Sequence, residues 1–218
     1  REDSAFQTIL SQENEAKKLG PTNDYVSFQL SLHDYEIRRN IITSRLDDLY
    51  SYIEESTDDL TVQLSSFCIF HKYVLANNLI ANYETVEQKK EAIFSRIIDT
   101  TADQYEILKP ALEVESTINT QHALNWALRL NTQNRRDMAV RLVIKGLSKS
   151  TEVPSISRLC GVVRRMQHEN SRTIAYIDLL KFVGEKDELN GADFSKLRKV
   201  KNTVVDFGSK CLALTHLS

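Results

Sequence analysis

The chain has 218 residues, 41% hydrophobic and 27% charged, with a formal net charge of −2, 6 glycines and 3 prolines. That length and balance suit one large or two small folded domains and exclude a disordered chain. So few glycines and prolines leave too few turn residues for a strand-rich fold, and the expectation is an all-α protein.

The chain opens Arg1-Glu2-Asp3-Ser4, with neither an initiator methionine nor an apolar signal core, so a piece of a longer polypeptide is expected. Residues 2–18 read as a polar helix with a thin apolar stripe, stopped by Gly20-Pro21, and Asn23 or Asp24 is expected to cap the next helix. Tyr25, Phe28, Leu32, Tyr35, Ile42, Leu46, Leu49 and Ile53 then follow alternate steps of three and four, a heptad-like seam interrupted by Arg39. A strand over Val26–Leu32 is the competing pattern, but it would lack a partner for its backbone. A break near His33-Asp34 would divide this stretch into two helices.

Ser56-Thr57-Asp58-Asp59 is a helix start, and Leu64, Phe67, Cys68, His71 and Val74 run down a broad face expected to be central and buried. Shorter helices are expected at 85–98, at 101–115 with Pro110 kinking or dividing it, and at 119–131. Arg129, Leu130, Asn134, Arg136, Met138 and Ala139 align with Arg165, Met166, Asn170, Arg172, Ile174 and Ala175 at an offset of 36. Each copy reads as two helices around a polar turn, the geometry of stacked helical hairpins. Small residues at Ala127, Ala139 and Gly146 resemble the tetratricopeptide pattern, from which Phe182 departs in the second copy. Pro154 opens a helix reaching about His168, Ser171 caps the next, and that one stops at Gly184. Leu197, Val200, Val204, Phe207, Cys211 and Leu214 form a second three-four seam in a final helix.

The expected architecture is therefore a multi-helix bundle, with an acidic region over 1–118 and a basic, α-solenoid-like hairpin region over 119–218; one continuous domain is the alternative. Residues 1–120 carry 11 Lys and Arg against 21 Asp and Glu, whereas residues 121–218 carry 17 against 9. This split points to an acidic partner for the later half: nucleic acid, a protein, or the acidic half of the same or a neighbouring chain. Arg129, Arg135, Arg136, Arg141, Arg164, Arg165 and Arg172, followed by Lys196 and Lys199, are the candidate partner- or phosphate-binding residues.

Catalytic, cofactor and metal motifs are not found, and no small-molecule substrate is evident. Arg164, Arg165 and His168 approach the Arg–His pair of helical ribonucleases of the HEPN type, with too few residues between them. His168 is expected in the C-terminal turn of its helix and His71 as a hydrogen-bonded core residue. The three scattered cysteines, Cys68, Cys160 and Cys211, fit buried thiols in an intracellular protein, cytoplasmic or nuclear, and no apolar run spans a bilayer. These features point to a non-catalytic interaction or scaffold module that docks an acidic partner or self-associates, without a membrane. The alternative is a module that contacts DNA or RNA backbone through the same arginines.

Overall fold

Capping residues set where the helices begin. The computed structural model describes residues 13, 17, 22–39, 41, 43–55, 59–100, 104–150 and 153–184. Among the described residues there are nine α-helices, two single 3₁₀ turns and no strand. The chain divides into two compact units, Arg1–Thr100 and Thr101–Ser218. The expected helices over 2–18 and in the last part of the chain lie outside the described residues, as do Lys196 and Lys199.

In the first unit, α1 spans Asn23–Arg38, α2 Arg45–Glu55, α3 Leu60–Ala76 and α4 Val86–Thr100. The α1 cap is Thr22, whose side chain accepts from the Tyr25 N–H, not Asn23 or Asp24 as expected. The heptad-like stretch is two helices, and the break falls after Arg38 rather than near His33. Two causes act there. Ile41, Ile42 and Thr43 are successive β-branched residues, poor in a helix. Arg45 also grips Glu36 with two hydrogen bonds, of 2.9 and 2.6 Å, folding α2 back along α1 so that the Tyr25 and Tyr52 rings meet 5.3 Å apart. The seam residues Tyr25, Leu32, Leu46, Leu49 and Ile53 are buried within this unit.

Helix α3 is the central, buried helix and packs against α1, α2 and α4. Asp59 caps its start by accepting from the N–H groups of Thr61 and Val62. Its end is a Schellman turn: Asn78 takes a left-handed φ of 56°, and Leu79 donates to the Val74 carbonyl. His71 is a hydrogen-bonded core residue as expected, with Nδ1 2.7 Å from the Nζ of the fully buried Lys90.

In the second unit, α5 spans Gln104–Ile118, α6 Thr120–Leu128, α7 Gln133–Lys145, α8 Ile156–Arg164 and α9 Glu169–Gly184. Pro110 neither divides nor ends α5. The carbonyl it leaves without a donor belongs to Glu106, an exposed residue that water can serve. Helix α7 packs against α5, α6 and α9, and α8 packs against α9.

The offset of 36 is realised in the element boundaries. Thr120–Leu128 maps onto Ile156–Arg164, each nine residues long, and α7 and α9 both begin after four intervening residues. Leu130 and Met166, then Ala139 and Ala175, are buried at matching places. Two equivalent hairpins are fewer than the three or more copies of a stable repeat array, so the established architecture is a helical bundle. Ser171 lies inside α9 rather than capping it, and His168 precedes α9 instead of ending α8.

Candidate binding edge of the second unit

Two buried polar side chains bring the helix-joining turns together. Gln104, at the start of α5, accepts through Oε1 from the Asn131 N–H at 3.0 Å, in the turn between α6 and α7. One repeat later Asp137, in the second turn of α7, accepts through Oδ2 from the N–H groups of Gln167 and His168 at 2.8 and 2.7 Å. Asn131 and Gln167 are 36 positions apart, so equivalent backbone donors are held in each copy. The starts of α5, α7 and α9 therefore lie in a row along one edge of the unit. At the opposite end, a Cβ built on Gly146 would come within 3.1 Å of Ser116 Cβ, so α5 and α7 also meet at their C-terminal ends. The two helices run parallel.

This edge collects six of the arginines singled out from the sequence. Arg129 and Arg165 are the C-cap residues of α6 and α8, Arg164 ends α8, and Arg135, Arg136 and Arg172 lie in the first turns of α7 and α9. Arg129, Arg164 and Arg165 are exposed, and the other three are half-buried. Arg172 donates through Nη1 to the Met166 carbonyl at 3.1 Å, bridging its own turn. The equivalent Arg136 has an Nε buried without a hydrogen-bond partner.

Arg141 lies apart from this row. It stands mid-helix, where its charge acts on Tyr105 of α5 and Asp178 of α9. Burial pushes the Asp178 carboxyl above its usual range, and Lys181, Arg141 and Lys145 pull it back only in part. Lys145 and Lys149 stand at the far end of α7 and beyond it.

Residues 104–184 carry 12 Lys and Arg against 7 Asp and Glu. The positive ends of the α5, α7 and α9 dipoles meet the negative ends of α6 and α8 there, so the arginines supply most of the edge's positive field. Glu106 and Glu169, in the first turns of α5 and α9, temper that field. The four aromatic residues of this segment, Tyr105, Trp126, Tyr176 and Phe182, are all buried. The described part of the edge thus offers guanidinium and amide groups but no stacking platform.

Gln104 and Asp137 were not singled out from the sequence. The available signal for Asp137 is its register: it stands three and seven residues before the buried Val140 and Ile144, an acid in a core stripe. Among the described residues no group of side chains could hold a metal ion, and no helix is long and apolar enough to cross a membrane. Comparison with protein-family models, with curated proteins and with solved structures finds no match.

Proposed function

We propose that the chain is a non-catalytic helical interaction module of a larger protein or assembly, working inside the cell. It docks an acidic protein partner through the basic edge of its second unit. The observation that carries this reading is the gathering of Arg129, Arg135, Arg136, Arg164, Arg165 and Arg172 along one row of helix ends. Exposed guanidinium groups in a fixed array accelerate encounter with an acidic surface and form forked contacts to carboxylates.

A second reading, contact with a nucleic-acid backbone, is favoured by the three aligned helix N-termini, because phosphate is a good ligand for such dipoles. The buried aromatics leave no platform for stacking unpaired bases, which confines that reading to backbone contact.

Fluorescence anisotropy of the whole chain with a labelled twelve-residue oligoglutamate and a labelled twelve-base-pair duplex, at 50 and 200 mM salt, separates the readings. Tighter binding of the oligoglutamate than of the duplex at both salts, with each weakened at 200 mM, is expected. Tighter binding of the duplex at both salts contradicts the proposal in favour of the second reading.

A further inference from the structure

The arginines are not the only groups that recur along the edge. Asn131 and Gln167 occupy equivalent turn positions, and Asn134 and Asn170 equivalent positions in the first turns of α7 and α9. All four amides are exposed. Arg129 and Arg165 stand beside them at equivalent C-caps, also exposed. Each copy therefore presents one guanidinium and two amides, although Asn131 Oδ1 in the first copy also accepts from Arg135 Nη1 at 3.4 Å.

We propose that this edge reads an extended acidic peptide segment, holding its main chain with the amides and its carboxylates with Arg129 and Arg165. The inference rests on the docking reading above and adds the form and register of the partner. An amide side chain carries both a donor and an acceptor, which match the N–H and C=O of an extended main chain. Phosphate oxygens only accept, so half of what these amides offer would go unused against a nucleic-acid backbone.

Register follows from spacing. Arg129 and Arg165 enter the turns that lead into α7 and α9, and packed helices such as α7 and α9 lie about 8–10 Å apart. An extended peptide in the polyproline-II conformation advances about 3.1 Å per residue with three residues per turn, so residues three apart share one face and cover one repeat. Acids three positions apart, in an acid-x-x-acid pattern, would meet the two arginines in turn.

The test uses the whole chain and two labelled nine-residue peptides of identical composition, built from three Glu and six Ser. One spaces the acids three apart and the other clusters them at one end. The spaced peptide is expected to bind at least fivefold more tightly. The double substitution Asn134→Ala/Asn170→Ala is expected to abolish that preference and weaken the spaced peptide about tenfold. Arg129→Ala/Arg165→Ala is expected to weaken both peptides. The peptide comparison itself needs no variant, and Asn131→Ser/Gln167→Ser is the replacement should the alanine pair fail to fold.

Equal affinity for the two peptides, with Arg129→Ala/Arg165→Ala still weakening both, overturns the register while leaving the docking reading intact. No binding of either peptide, or release of both by an equimolar twelve-base-pair duplex, overturns both.

Discussion

Asp137 Oδ2 lies 2.7 Å from the backbone nitrogen of His168, and Gln104 Oε1 stands 3.0 Å from that of Asn131 one repeat earlier. Both acceptors are almost wholly withdrawn from water. In each case a polar side chain from the preceding α5 or α7 replaces water at a turn whose amides would otherwise be unserved. These contacts make the two turns neighbours, and the arginines follow because they stand at the ends of the joined helices.

Removal of the Asp137 carboxylate tests that role. It accepts from Gln133 Nε2 as well as from the two amides, so Asp137→Ala strands several donors at once. A loss of about 3 kcal/mol is expected in urea unfolding followed by circular dichroism. Asp137→Asn, which keeps one oxygen, should lose less.

Two glycines should respond in opposite directions. At the end of α7, a methyl group on Gly146 would collide with Ser116 Oγ, so Gly146→Ala is expected to cost about 1–3 kcal/mol. Gly161 lies inside α8, and a Cβ there meets nothing within 4 Å. Gly161→Ala should therefore stabilise by roughly 0.5–1 kcal/mol through helix propensity. Denaturant midpoints of the two variants check both signs.

The first unit should weaken in acid in two stages. Burial is the main cause holding the His33 imidazole below its ordinary value, against the upward pull of Glu36 and Asp34. The folded state therefore resists a proton that the unfolded chain accepts. Stability from this group is full above pH ~6.5 and falls as pH drops toward the lowered folded value. For Glu36, burial pushes upward, but the hydrogen bonds and charge of Arg45 outweigh it and keep the carboxyl low. Its contribution survives to about pH 4.3 and is lost below that. His33→Phe should flatten the decline between pH 7.5 and 5.5 in urea unfolding. An unchanged slope contradicts the assignment to His33.

Breaking the Arg45–Glu36 pair should be costly at neutral pH. The Glu36 and Arg45 side chains retain 5% and 12% of their exposure, so Glu36→Gln leaves a half-compensated guanidinium in the unit. A loss of about 3 kcal/mol is expected by thermal or chemical unfolding.

Much of this fold is legible in local pattern. The repeat is readable because Leu130, Met166, Ala139 and Ala175 recur at packing positions, and both hairpins appear at the same offset, α9 running three residues further than α7. The buried face of α3 is equally plain, since its apolar side chains return with helical spacing. What escaped depends on contacts through space. The break after Arg38 is reinforced by Arg45 reaching back nine residues to Glu36. Asp137 reads locally as one acid among arginines, although its partners are amides 30 and 31 residues away. Thr22, Asn23 and Asp24 are adjacent and all able to cap, so local chemistry could not rank them. The arginines were recognised as a group, but only the joined turns separate the six on the edge from Arg141.

Position, rather than total charge, defines the proposed docking edge. The decisive measurement compares oligoglutamate affinity for the whole chain carrying Arg164→Glu/Arg165→Glu with that for Lys145→Glu/Lys149→Glu, which changes net charge equally at the other end of α7. A loss of about tenfold or more in the first, with the second within about twofold of the parent, is the expected result. Equal losses in the two variants would contradict a localised basic edge.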